Sequence, residues 1–150
     1  MNLSRQFEMA LKAAWIAAGI AKTDAFYNAF QAPELDAKGQ VSRRFPQIEY
    51  KCGADIPDGF KSSVFKMGCS VTIITDSVDD PVRTVIGGIY EKLRTAINTA
   101  NDDVGAWTTA YLSGTTHLNA LTVDGGPDPY FDDDWAVMEF SFTIEGCDGT

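Results

Sequence analysis

The sequence predicts an α+β fold: a mostly antiparallel sheet with two main helices packed on one face. Three observations predict it. Two long segments alternate apolar and polar residues with a period of two, and two others repeat apolar residues every three or four positions. The predicted order is helix, strand, strand, helix, strand, strand. Successive strands with short links favour antiparallel pairing.

The first helix comes from Leu3, Phe7, Ala10, Leu11, Ala14 and Ala18, one apolar face that Trp15 and Ile16 widen. Ser4 stands near its start and Gly19 is its expected stop. So many alanines also let a neighbour approach closely, which makes this helix a candidate subunit contact. Residues 31–44, with Pro33 and Gly39, read as a loop. Residues 45–52 read as a strand in which Pro46 is confined to the first positions or to an edge. Gly53, Pro57 and Gly59 turn the chain over 53–61.

The next strand has the clearest pattern. Phe65, Met67, Cys69, Val71 and Ile73 point one way, while Lys66, Gly68, Ser70 and Thr72 point the other. Val64 and Ile74 put apolar groups on the second face. Asp79-Asp80-Pro81 opens a helix over about 81–99, with an acidic N-cap and Pro at the first helical position. Val82, Val85, Ile86, Ile89, Leu93 and Ile97 form its buried stripe, and Asn101 is its expected C-terminal cap. Gly87-Gly88 inside it implies a closely packed neighbour. Trp107, Tyr111, Leu118, Leu121 and Val123 predict one or two strands, broken near Gly114. Residues 124–134, rich in Asp, Gly and Pro, predict a long loop. Ala136, Met138, Phe140, Phe142 and Ile144 alternate with polar residues as the last strand. The predicted core is Phe65, Met67, Val71, Ile73, Val85, Ile86, Ile89, Leu93, Met138, Phe140, Phe142 and Ile144.

At 150 residues, 45% of them hydrophobic, the chain is expected to form a single domain, 1–150, with a real core, and not a disordered segment. Its net charge of -9 is split unevenly. Residues 1–100 hold all 12 Lys and Arg against 11 acids, a net +1, and residues 101–150 hold 10 acids and no cation, a net -10. Such a segment repels phosphate backbones and anionic membranes. Glu8 and Lys12 interrupt the N-terminal apolar run, which is too short to span a bilayer, so no export by a signal of its own is expected. Cys52, Cys69 and Cys147 are odd in number and widely spaced, which predicts reduced thiols and no zinc.

No catalytic, metal or cofactor residues are expected. His117 has no acid or cysteine close in sequence, and a Cys–His or Ser–His–Asp site has no local signature to support it. Neither Gly87-Gly88 nor Gly125-Gly126 matches a phosphate-binding loop. Asp124, Asp128, Asp132, Asp133 and Asp134 form an acidic cluster whose spacing matches no EF-hand. A solvated loop, or a wall that repels DNA, suits them better than a metal site. Pro129-Tyr130-Phe131 among these aspartates is expected either to fold back on this domain or to anchor a partner.

The layout over about 3–145 resembles the tail terminator (tail completion) proteins of long-tailed bacteriophages. It is carried by the leading helix, the strand opening Phe45-Pro46-Gln47-Ile48, and the long strand ending Val71-Thr72-Ile73-Ile74-Thr75. The Asp-Pro-started helix through Ile89-Tyr90-Glu91-Lys92-Leu93-Arg94 and the last strand ending near Glu145 complete it. The resemblance implies a non-enzymatic virion protein, assembled in the host cytoplasm as a homo-oligomeric ring, expected to be a hexamer. It implies contacts with the tail tube and a neck or connector protein, DNA passing without specific binding, and no membrane. Arg43, Arg44, Tyr130 and Phe131 are candidates for subunit contact. Asp128, Asp132, Asp133 and Asp134 are candidates for an acidic surface at the channel or tube mouth. Competing expectations are another neck or tail-tube component, a non-phage binding module, and a metal-dependent hydrolase using the acidic cluster.

Overall fold

A computed structural model of the chain describes residues 3–21, 25–28, 37–38, 46–53, 56–57, 64–76, 80, 84–132 and 135–148. The N-terminal apolar repeat folds as α1 (Leu3–Ala17), which buries Phe7, Ala10, Leu11 and Trp15. It stops as the sequence implies. Gly19 takes φ +71, and the N–H groups of Gly19 and Ile20 donate to the carbonyls of Ile16 and Trp15 at 3.0 and 3.3 Å. This left-handed closure suits a residue without Cβ and satisfies two end carbonyls.

Six strands form one sheet: β1 (Phe26–Asn28), β2 (Gln47–Cys52), β3 (Ile56–Pro57), β4 (Val64–Asp76), β5 (Thr116–Asp132) and β6 (Trp135–Asp148). Their order is β1-β2-β4-β6-β5, with β3 paired to β4. Among the described residues, β1 with β2 is parallel and the other pairs are antiparallel. The fold is thus α+β on a mostly antiparallel sheet. The predicted alternation holds along β4 and β6, whose pairing runs unbroken from Val64↔Cys147 to Asp76↔Trp135. Phe65, Met67, Val71, Ile73, Phe140, Phe142 and Ile144 turn inward and are buried with Ile86, Leu93 and Ile97 of α2 (Thr84–Asp102).

The start of α2 is fixed by Asp80, which is 2% exposed. Its Oδ1 accepts from the Val85 N–H and its Oδ2 from the Ile86 N–H, both at 2.9 Å, and the Thr75 hydroxyl donates to Oδ2 at 3.0 Å. Burial alone would push this carboxyl up. The backbone donors of Ile86 and Val85 and the Thr75 hydroxyl outweigh burial and hold it below the usual carboxylate range.

Several expectations are corrected. Residues 104–111 are a third helix, α3 (Val104–Tyr111), not a strand: Asp103 caps it by accepting from the Ala106 N–H at 3.1 Å, and Trp107 with Tyr111 lies one turn apart on one side. Asn101 does not cap α2; it lies within the helix, and its Oδ1 accepts the Leu121 N–H of β5 at 3.1 Å. Val85 is 48% exposed because Ile86, Ile89, Leu93 and Ile97 define the buried stripe and Val85 falls off it. A Cβ added at Gly87 or Gly88 would meet nothing within 4 Å, so no close neighbour explains them. Of the predicted 124–134 loop, residues 124–132 belong to β5. Of the predicted 31–44 loop, only 37–38 are described.

Candidate functional site: the open sheet face and the bulged edge

The alternation that buries one face of β4 and β6 presents the other to solvent. Rows of facing residues cross it from strand to strand. One row reads Lys51, Ser70, Ser141 and Gly125; the next reads Glu49, Thr72, Glu139 and Asp128. Thr143 stands between Gly68 and Thr122. The surface is built from short hydroxyls, glycine and charged groups. A shallow depression of about 580 Å³ lies on it, lined by Glu49, Lys51, Ser70, Thr72, Gly126 and Glu139 among others.

Its charged groups are largely engaged. Gln47 Nε2 donates to Glu49 Oε1 at 2.6 Å, and the Tyr130 hydroxyl donates to Glu139 Oε1 at 2.9 Å. The Thr143 hydroxyl donates to Asp124. Lys66 Nζ stands 3.5 Å from Glu145 Oε1. Carboxylates therefore outnumber cations here: Glu49, Asp124, Glu139 and Glu145 against Lys51 and Lys66. At one end the face is covered: Gln47, Ile74 and Val137 are cross-strand neighbours and all are buried.

The edge strand β5 is modified along its length. Its register against β6 shifts at Leu118/Ala120, Val123/Gly125 and Gly125/Asp128. Each shift inserts one residue, which is why 17 residues of β5 span 14 of β6. Gly126 makes the last bulge possible: φ is +101, and a Cβ there would meet the Glu139 carbonyl and Phe140 Cβ at 2.7 Å. Pro127 and Pro129 offer no N–H. The Leu118 and Leu121 N–H groups are taken by Thr108 Oγ1 and Asn101 Oδ1, at 3.0 and 3.1 Å. Bulges, prolines and helix side chains together guard this edge against another strand.

Of the residues singled out in the sequence, Tyr130 folds back on its own sheet while remaining 39% exposed. Phe131 lies in β5 opposite Ala136, Asp128 opposite Glu139, and Asp132 opposite Trp135. Arg43, Arg44, Asp133 and Asp134 lie outside the described residues. The register brings together one pair that sequence distance hid, His117 and Cys147, directly opposed on β5 and β6. The Cys147 thiol points at Asn119 Oδ1, 3.8 Å away. Among the described residues, no three His, Cys, Asp or Glu side chains gather as metal ligands.

On the helical side, a groove of about 720 Å³ runs between α1, α2 and α3, with Ala14, Ala17, Ala96, Ala100, Ala106 and Trp107 among its lining. It is the surface that the alanine content of α1 anticipates. Among the described residues, no helix is long and apolar enough to cross a membrane. Comparison with protein-family models and with curated proteins finds no match.

Proposed function

We propose that the chain is a structural virion protein of a long-tailed bacteriophage, a tail terminator that forms a homo-oligomeric ring between the tail tube and the neck. The observation that carries this reading is the one-sided sheet. Helices cover one face, and the other is a broad hydrophilic surface where acids exceed cations. A wall of this kind suits a passage for DNA, because each unpaired cation on it would add an attraction to phosphate and slow transit. Lys66 on that face is partnered by Glu145, which limits such attraction. The guarded β5 edge fits a subunit that meets its neighbours through side chains and not by open-ended strand addition. The 19-residue α2 contains the segment Ile89–Arg94 on which the resemblance partly rests.

Native mass spectrometry and negative-stain imaging of the purified chain test the reading. Closed rings of one size are the expected result, hexamers by the resemblance. A chain that stays monomeric at high concentration and in the presence of tail tubes counts against it.

A further inference from the structure

Cys52 and Cys69 face each other across β2 and β4. The Gly53 N–H donates to the Gly68 carbonyl at 2.8 Å, so the adjoining pair is the hydrogen-bonded one and Cys52–Cys69 is not. In antiparallel sheets, facing Cα atoms of such non-hydrogen-bonded pairs stand about 4.5 Å apart. Disulfides bridge Cα separations of about 4.4–6.8 Å. Both side chains are on the core face, 3% and 4% exposed, and both are free thiols. The Cys69 thiol donates to the Met67 carbonyl at 4.0 Å, and the adjacent Cys52 thiol together with burial pushes the Cys69 thiol well above its ordinary value.

The surroundings differ at the two residues. Cys69 lies mid-strand, with β2 on one side and β6 on the other. Cys52 is the last residue of β2, and β1 pairs only with Ile48, Glu49 and Tyr50. Its N–H donates to Glu8 Oε2 at 3.3 Å, while the Ser4 hydroxyl donates to the next carbonyl, that of Gly53.

We propose that Cys52 and Cys69 are a thiol-oxidation site that closes a cross-strand disulfide between β2 and β4 on reaction with a small-molecule disulfide such as oxidised glutathione. The Cys52 thiolate attacks one sulfur of the reagent, forming a mixed disulfide and expelling one small thiolate. The Cys69 thiolate then attacks the Cys52 sulfur and expels the second. The two leaving thiolates take up the two protons that the protein thiols lose. Two protein thiols are oxidised and one small disulfide is reduced to two thiols. Cys147 has no part in this: it lies on β6 opposite Val64 and His117, five positions beyond the Phe142 that pairs with Cys69. The product would staple the C-terminal end of β2 to β4.

The test uses the full chain carrying Cys147→Ser, incubated with excess oxidised glutathione at neutral pH. Expected are the loss of both remaining thiols, a mass lower by two hydrogen atoms with no adduct retained, and a peptide map joining residue 52 to residue 69. The thermal midpoint rises, and dithiothreitol reverses every change. Cys52→Ala and Cys69→Ala in that background each leave one thiol and no internal disulfide. Two thiols still free after the incubation, or a persistent glutathione adduct on either residue, overturns the proposal. The unmodified chain, mapped in the same way, must also give the 52–69 link; pairing of either residue with Cys147 overturns it as well.

Discussion

Between Phe65 and Ile73, β4 sends Phe65, Met67, Cys69, Val71 and Ile73 beneath the helices, while Lys66, Gly68, Ser70 and Thr72 face the other way. The inner residues are buried and meet rings and aliphatic chains: Phe7 lies edge-on to Phe65 at 5.7 Å, Tyr90 to Phe140 at 5.3 Å, and Trp15 to Phe142 at 6.4 Å. These outer residues are half-exposed or exposed, and on neighbouring strands of the same face Gln47 bonds to Glu49 and Tyr130 to Glu139. One backbone thus carries two surfaces with separate duties. The inner face supplies stability, and the outer face is free to be selected for what slides over it or docks on it. If that division is real, substitutions on the two faces should differ by several-fold in their cost to folding.

The largest effect should come from the inner side. Leu93 is fully buried in the stripe of α2. Leu93→Ala is expected to lower stability by about 2–5 kcal/mol in a denaturant titration, through lost burial and the cavity left behind. A negligible change would mean that the helix does not pack on the sheet by this stripe.

Asp80 joins the two layers, tying the end of β4 to the start of α2 through Thr75, Val85 and Ile86. Asp80→Ala leaves donors without their acceptor and should cost roughly 1–3 kcal/mol for each such group that finds no other partner. The carboxyl also makes a pH prediction. Its folded value is depressed below the unfolded value, near 3.9 for an aspartate. The stability it supplies is therefore present above the unfolded value and lost as pH falls through the folded one. Asp80→Asn should flatten the acid limb of the stability profile in that window. An acid limb identical to the parent's would show that the charge is not what the cap uses.

Gly126→Ala probes the seam between the two faces. The new Cβ would meet the Glu139 carbonyl at 2.7 Å and Phe140 Cα at 2.9 Å, on a backbone already at φ +101. A loss of about 1–3 kcal/mol is expected from left-handed strain and crowding. Because the bulge lies at the depression on the open face, hydrogen exchange over 123–132 should quicken while α2 stays protected.

How much of this was legible in the sequence follows from the same division. β4 and β6 were readable because one face is buried and one is not, so the period of two survives in the residue types. α1 and α2 were readable from their stripes. Trp107 and Tyr111 suggest a strand because aromatics favour strands, although their spacing of four fits one helical turn and Asp103 supplies an N-cap. Residues 124–134 read as a loop because Gly and Pro usually break strands, yet 124–132 belong to β5. On an edge strand, a missing outward N–H costs nothing and a bulge can absorb the glycine. The opposition of His117 to Cys147, and of Cys52 to Cys69, depends on strand register, which residue types alone do not specify. Among the candidate site residues, the sequence pattern did not disclose that Asp128, Tyr130, Phe131 and Asp132 lie in a strand.

The smallest effect should come from the open face itself. Lys66 and Glu145 are cross-strand neighbours 3.5 Å apart, with side chains 52% and 41% exposed. Water competes for both charges, and holding two long side chains together costs entropy, so their coupling should be no more than about 1 kcal/mol. A double-mutant cycle with Lys66→Ala and Glu145→Ala measures it directly, and repeating the cycle in high salt should shrink it further. The single substitutions should differ in another respect. Lys66→Ala removes a cation and leaves Glu145 unpaired, making the face more acidic; Glu145→Ala leaves Lys66 unpaired on that face. If DNA passes along this surface, Glu145→Ala should increase retention of the protein on a phosphate-bearing matrix at low salt, while Lys66→Ala should not, although both fold equally well. A coupling of several kcal/mol would place this pair among the stabilising contacts and break the division between the faces.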